Sequence, residues 1–238
     1  MAQQQVFLTA EWNHLLMFNY IVDPKLLEPH VPKGTELDAL GGKTYVSLIG
    51  FEFNDTRISG IRIPFHESFE EVNLRFYVRR NEKRGVVFIR EFVPKWAVAV
   101  VARIAYSERY SCAPMTHRIH YRLDRDAIEA EYSWGSGAAG CRMRAETEGG
   151  SYLPGNGSLG QFITEHYWGY AARKGRPTVE CEVQHPQWQV REAMSAGVSG
   201  DATQHYGSEL GRIVMRPPDS AFLAEGSAVT VFRGTSIG

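Results

Sequence analysis

From Glu71 to Arg79 the chain alternates without a break. Val72, Leu74, Phe76 and Val78 are apolar, and Glu71, Asn73, Arg75, Tyr77 and Arg79 lie between them. Period-two alternation sends successive side chains to opposite faces of a strand, so this segment has one apolar and one polar face. A second run, Val86 to Phe92, follows a turn ending in Gly85, and the two runs form a hairpin. With residues 81–85 as its loop, Arg75 stands opposite Glu91 and Tyr77 opposite Ile89. Glu71, Asn73, Arg75 and Glu91 then share one face, and Leu74, Phe76, Val78, Phe88 and Phe92 share the other. The polar face has two readings. It looks at solvent, or it lines a pocket in which acid, amide and guanidinium groups orient a ligand. In a pocket Arg75 is the natural carboxylate clamp, because its planar fork binds both oxygens.

The rest of the chain extends this β-rich pattern. Thr44 to Phe53 is a strand buried on both faces. Ile119–Leu123, Ile128–Trp134 and Cys141–Ala145 read as a three-strand meander, and Val179–Val183, Arg212–Met215 and Val229–Phe232 as further strands. Asp23-Pro24 opens a short helix, with Asp as cap and Pro at its first position. Ser158 to Arg173 is the best helix, with Phe162, Ile163, His166, Tyr167 and Tyr170 on one side. Pro94 to Tyr106 is read as a helix or a strand. Short turns joining many strands predict a mainly β fold, an antiparallel barrel or sandwich with a few covering helices.

Size and charge narrow the function classes. The 238 residues, 43% of them hydrophobic, suit one large core, so residues 1–238 are expected to form a single domain. The longest apolar stretch, Trp96–Ala102, is far short of the ~20 residues a membrane span needs. The N-terminus lacks a secretory pattern, which predicts a cytoplasmic protein. A net charge of −1 gives no bulk field for nucleic acid or anionic lipid. Cys112, Cys141 and Cys181 are scattered and read as free thiols.

Several motifs invite chemistry. Gly155-Asn156-Gly157-Ser158-Leu159-Gly160 matches a dinucleotide fingerprint, but no buried parallel strand precedes it, so it reads as a loop with Ser158 capping a helix. The histidines form no H-E-x-x-H pattern, and neither a metal nor a cofactor is expected. Lys95 is the one lysine set between apolar runs. It is a snorkelling residue, or a desolvated amine that attacks a ketone to form a Schiff base. His166 and Tyr167 are core residues or pocket-facing groups. His66, in the loop before the polar strand, can reach the same mouth as Glu71. Trp168 is covered by another element or belongs to a docking surface, and His185-Pro186-Gln187-Trp188 is a rim-like loop.

The segments Phe7–Trp12, Val22-Asp23-Pro24 to Thr35, Tyr45–Leu48, Ile63–His66, Phe69–Val78, Val87–Glu91, Thr164–Tyr170 and His185-Pro186-x-Trp188 together resemble the YqjF-like family of uncharacterised bacterial proteins. That family is grouped more remotely with the acetoacetate decarboxylase-like fold, a cone-like, mostly antiparallel β structure around a cavity. The resemblance implies a site in which a Pro-Lys element supplies the Schiff-base lysine, with glutamates and an arginine around it. Pro94-Lys95, Arg90-Glu91 and Glu71 are similar to those elements, although Trp96 stands where the decarboxylases have a second lysine. It also implies a homo-oligomer.

The expected protein is thus a cavity protein that binds or transforms a small organic acid or carbonyl compound. Lys95 is its candidate nucleophile, and Glu91 and Glu71 are its candidate proton-transfer groups. Arg75, Asn73, His66, His166 and Tyr167 are candidate ligand contacts. A decarboxylase or aldolase-dehydratase type of lyase activity is one form of this. A non-catalytic ligand-binding or sensing module is the rival, and a scaffold anchored by Trp168 and Trp188 is a third reading that a filled interior would favour.

Overall fold

A computed structural model describes residues 5–94, 110–173 and 175–237. Lys95 and all but the first residue of the Pro94–Tyr106 segment lie outside the described residues.

The chain begins with the long strand β1 (Val6–Val22), followed by α1 (Pro24–Leu27). The Asp23 carboxylate caps α1, accepting from the Lys25 amide at 2.9 Å. The short β2 (Glu36–Leu37) leads to β3 (Thr44–Ile58), β4 (Ile61–Arg62), β5 (Phe69–Arg80), β6 (Lys83–Val93) and β7 (Tyr110–Cys112). A meander of β8 (Met115–Arg122), β9 (Ala127–Trp134) and β10 (Cys141–Glu148) comes next. The chain continues through α2 (Leu159–Thr164), β11 (Trp168–Arg173), β12 (Arg176–Gln184) and β13 (Val190–Gly200). It ends with α3 (Thr203–Met215), β14 (Ser220–Phe232) and β15 (Thr235–Ile237).

Among the described residues seven strands close into a ring in the order β12, β11, β6, β5, β3, β1, β14 and back to β12. All of these pairings are antiparallel except β11 with β6. Closure removes the exposed edges of the ring strands and leaves an interior. From β14 the sheet continues through β13, β10, β9 and β8.

This topology explains why β1, β3 and β5 are buried on both faces. Their outward residues, such as Phe18, Leu48, Leu74 and Phe76, pack with Tyr132, Trp134 and Met143 of the outer strands and with Leu210 and Val214 of α3. Their inward residues, such as Met17, Ile49, Phe51 and Tyr77, pack with Phe162 and Ile163 of α2 and with Trp188. The outer layer approaches β3 so closely at Gly50 that a Cβ there would lie 2.8 Å from the Tyr132 ring.

Three sequence expectations are corrected. The hairpin turn is Asn81-Glu82 alone, with Arg80 opposite Lys83 and Asn81 in the left-handed region (φ 54°). Gly85 is not in the turn; it lies inside β6 opposite Val78. Glu91 therefore pairs with Asn73 and Arg75 with Phe88, and the extra residue, Ile89, is taken up by a bulge. The predicted helix 158–173 is shorter. Ser158 does cap it, its Oγ accepting from the Gln161 amide at 3.2 Å, but the helix ends at Thr164 and Trp168–Arg173 form a strand. The aromatics of Trp168–Tyr170 carry strand propensity, and pairing with both β6 and β12 outweighs the helical spacing. Arg212–Met215 is the end of α3, not a strand. Its core residues Tyr206, Leu210 and Val214 recur every four positions, a period broken in the sequence by Gly207 and Gly211.

Candidate functional site

The ring encloses a cavity of about 130 Å³. That is comparable to cavities of roughly 150 Å³ that take up one benzene-sized molecule. Its position follows from the alternation of β5. Phe69, Glu71, Asn73 and Arg75 face inward and line it, while Val72, Leu74 and Phe76 face the outer layer. The β6 bulge does the rest. It places Ile89 and Arg90 in succession away from the cavity, so that Phe88 and Glu91 both face in although three positions separate them.

Glu71 is 3% exposed, Asn73 2% and Glu91 0%. Asn73 Nδ2 donates to Glu71 Oε1 at 2.8 Å, and the Tyr110 hydroxyl donates to Glu71 Oε2 at 3.3 Å. Burial pushes the Glu71 carboxyl up to about 7, because removal from water disfavours the charged form. The bonds from Asn73 and Tyr110 and the charge of Arg75 act against this without cancelling it. Arg75 spans the cavity toward α2, where Nη2 donates to the Ile163 carbonyl at 3.2 Å. Its Nε is buried and has no hydrogen-bond partner, and neither has Asn73 Oδ1.

His166, 7% exposed, sits in the corner between α2 and β11 and lines the same cavity. Its Nε2 stands 3.5 Å from Asp38 Oδ2, beyond a well-formed hydrogen bond, and its Nδ1 is also unpartnered. Burial drives this imidazole down to about 4; Asp38 pulls it up, and Arg84 and Arg75 push it further down. Asp38 itself is held below the usual carboxylate range. Burial raises it, but His166 and Arg84, the latter donating at 2.7 Å, outweigh burial.

The remaining wall is apolar. Phe53 stacks on Phe69 with centroids 4.7 Å apart, and Trp12 meets Phe51 edge-on at 5.1 Å. Trp188 is 3% exposed and stacks on His185 at 3.9 Å, and both line the cavity. Burial also drives His185 down to about 4. Trp168 lines the cavity and is covered by Lys83, whose Nζ lies 3.6 Å from the centre of its rings and ion-pairs with Glu180 at 2.5 Å.

The structure therefore brings together five of the residues singled out from sequence: Glu71, Asn73, Arg75, Glu91 and His166. It does not bring the other two described candidates to the cavity wall. His66 faces its own loop, with Nδ1 on the Pro64 carbonyl at 2.9 Å, and Tyr167 packs against His185 at 4.8 Å. Lys95 lies outside the described residues. Sequence reading missed Trp12, His185 and Trp188 as lining residues. The loop 185–188 signalled only a rim, and Trp12 stands on a strand with no clean alternation. Among the described residues no group of three or more His, Cys, Asp or Glu is arranged to hold a metal ion. No helix among them is long and apolar enough to cross a membrane.

The closed β ring has the acetoacetate decarboxylase-like fold. Solved structures of that fold superpose on nearly the whole chain. Acetoacetate decarboxylase from Legionella pneumophila matches with a TM-score of 0.68 at 12% identity, covering 97% of this chain and 87% of its own. The enduracididine biosynthesis enzyme MppR, with HEPES buffer bound, matches with a TM-score of 0.71 at 10% identity, over 99% and 89%. An acetoacetate decarboxylase-like enzyme from Sphingomonas wittichii RW1 matches at 0.66 and 12%, over 97% and 92%. The chain belongs to the DUF2071 family, described as an uncharacterized conserved protein, whose model matches residues 9–228. It is 25% identical over 206 residues to the uncharacterized protein YqjF of Bacillus subtilis, covering 84% of this chain and 81% of that protein.

Proposed function

We propose that the barrel binds a small organic acid or carbonyl compound, with Arg75 holding its carboxylate and Glu71 exchanging a proton beside its carbonyl. One observation carries this reading. The guanidinium of half-buried Arg75, whose Nε is buried and unpartnered, lies close enough to the buried Glu71 carboxyl to act on its charge, in a mostly apolar cavity of small-molecule size. A carboxylate ligand would satisfy that Nε with a charge-assisted bond. A carboxyl held near neutrality can both give and take a proton at physiological pH. Solved neighbours supply a parallel for the ligand class: MppR has been crystallised with pyruvate.

Glu91, on the strand beside Glu71, is the second proton-transfer candidate, and Lys95, four residues further on, is the candidate imine-forming nucleophile. The rival, a binding module without turnover, uses the same groups only to orient the ligand. The scaffold reading loses its support, since Trp188 is buried and the interior is not filled. We also propose a single domain, since the ring pairs β1 with β14 from opposite chain ends, and a cytoplasmic setting, which suits three free thiols.

The test is hydrogen exchange of 2-oxobutanoate in deuterated water, followed by proton NMR, together with borohydride trapping read by intact mass. Enzyme-dependent loss of the C3 protons, abolished in Glu71→Gln, supports proton transfer. An adduct in wild type that is absent in Lys95→Ala adds the imine. Saturable binding without exchange or adduct assigns the binding module, and no binding of any small acid or ketone overturns the proposal.

A further inference from the structure

His166 is a buried imidazole that the fold leaves without a hydrogen bond. Its side chain is 1% exposed, and neither ring nitrogen has a partner. The ring is nevertheless held in place. It packs at 4.6 Å against the Tyr77 ring and edge-on at 5.2 Å against Phe162. Nε2 is turned to Asp38 Oδ2, 3.5 Å away. His166 belongs to the cavity lining, and Asp38 stands behind it, outside the lining. Nδ1, on the other side of the ring, is therefore the nitrogen left to the cavity.

Asp38 is fixed without help from His166. Arg84 Nε donates to its Oδ2 at 2.7 Å, and its backbone amide donates to the Tyr77 carbonyl at 3.0 Å. A carboxylate facing Nε2 selects the tautomer that carries its proton there, which leaves a lone pair on Nδ1. Contacts of this kind are often long without ligand and shorten when one binds.

A buried acceptor without a donor is unfavourable, and a ligand that brings the donor removes the penalty. A hydroxyl suits this acceptor better than an ammonium. Burial keeps His166 neutral, and the charges of Arg84 and Arg75 act the same way, so the same surroundings oppose a cation beside it. A hydroxyl brings a proton without a charge. Asn73 Oδ1 is a second unpartnered acceptor on the cavity wall. An acid with no hydroxyl offers neither acceptor a donor.

Resting on the acid-binding reading above, we infer that the acid carries a hydroxyl group that donates to His166 Nδ1, with Asp38 as the positioning residue that holds the imidazole in its Nε2–H form. Arg75 and His166 then recognise two different groups of one ligand, the carboxylate and the hydroxyl.

Isothermal titration of the full-length protein with butanoate, its 2-, 3- and 4-hydroxy derivatives and 2-aminobutanoate tests this. At least one hydroxybutanoate is expected to bind about tenfold more tightly than butanoate, the effect of one well-made hydrogen bond. 2-Aminobutanoate should show no such gain. In His166→Phe the gain should fall to within about twofold, and in Asp38→Asn it should fall part of the way. Nitrogen-15 NMR of histidine-labelled wild type reads the same contact without a substitution. His166 should be the Nε2–H tautomer, and its Nδ1 resonance should move with the preferred hydroxybutanoate but not with butanoate. Asp38→Asn should mix the two tautomers, and an unchanged tautomer there overturns the role of Asp38. Equal binding of butanoate and all three hydroxy acids, still dependent on Arg75, overturns the inference and leaves the acid-binding reading standing. A gain that survives His166→Phe, a gain shared by 2-aminobutanoate, or an Nδ1 resonance that stays still also overturns it, and the resonance decides alone if His166→Phe does not fold. If no acid binds, the acid-binding reading falls and this inference falls with it.

Discussion

Asn73 donates a 2.8 Å hydrogen bond to Glu71, its neighbour two positions earlier on the inward face of β5. The bond joins an amide and a carboxyl that are both almost without solvent contact. It favours the ionised form and burial favours the protonated one, and burial wins. The amide is anchored on one side only: its Oδ1 has no partner, which leaves an acceptor available to a ligand hydroxyl or a protonated group.

The raised carboxyl of Glu71 has a signed consequence for stability. In the unfolded chain it ionises near its ordinary value of 4.5, whereas in the fold it holds its proton to about 7. Between those values the native state binds more protons, so stability is complete below pH 4.5 and is lost as pH rises through about 7. Glu71→Gln cannot ionise and removes this slope. Urea unfolding at pH 5 and pH 8 should show wild type losing roughly 1–3 kcal/mol over that interval and Glu71→Gln losing clearly less. Parallel slopes for the two proteins would mean that Glu71 ionises normally in the fold.

Arg75 offers a second test that is independent of turnover. Its Nη2 is engaged by the Ile163 carbonyl and its Nε is not engaged at all, so the guanidinium is positioned but not satisfied. A hydrogen bond to a charged group contributes about 1.5–3 kcal/mol. Arg75→Met should therefore weaken acid binding about 10- to 100-fold in titration calorimetry while binding of a neutral ketone changes little. Arg75→Lys should recover only part of the loss, since an ammonium lacks the planar fork. Equal weakening of acid and ketone would point to a collapsed cavity instead of a lost clamp.

How much of this was readable in advance depends on which physical term set each feature. The two faces of β5 follow from local alternation, so Glu71, Asn73 and Arg75 could be placed together from sequence. Glu91 was grouped correctly with them through a register that is itself corrected, because the expected loop was three residues too long and the bulge at Ile89 restores the inward direction. Without that bulge Phe88 falls on the face opposite Glu91, whereas in the structure both line the cavity. The short α2 and the strand at Trp168 were unreadable for a different reason. Their helical spacing is real, and only pairing with two distant strands, a tertiary term, selects the strand. Trp12 and Trp188 come together across 176 positions of chain, with ring centroids 6.1 Å apart, which no local pattern signals.

The seam between barrel and outer sheet predicts behaviour in acid. Glu52 on β3 is bonded to His14 Nδ1 at 2.9 Å and lies 3.2 Å from His117 Nε2, whose other nitrogen is 2.9 Å from Glu70. Burial pushes the Glu52 carboxyl up, but the His14 bond and the charge of His117 outweigh it and hold it below 4.5. A depressed carboxyl contributes stability that is present above its unfolded value and lost as pH falls through its folded one. Glu52→Gln should cost about 1–3 kcal/mol at pH 6 and flatten the fall in thermal midpoint below pH 4.5, as measured by circular dichroism. An unchanged acid limb would show that other carboxyls govern acid unfolding.

The parallel contact of β11 with β6 rests on Gly85. Its position is opposite Trp168, and a Cβ there would lie 2.6 Å from both the Trp168 carbonyl oxygen and the Tyr170 ring. The ring can shift, but the carbonyl belongs to the strand that closes the barrel, and moving it disturbs Trp168 and Gly169 in the cavity wall. Overpacking of this kind costs about 1–3 kcal/mol. Gly85→Ala should thus lower the urea midpoint by that amount and weaken ligand binding with it. Gly150→Ala, where nothing lies within 4 Å of the added carbon, should stay within about 0.5 kcal/mol of wild type. If Gly85→Ala is as stable as Gly150→Ala, β11 can move away from β6 without loss, and the closed ring is more plastic than its packing implies.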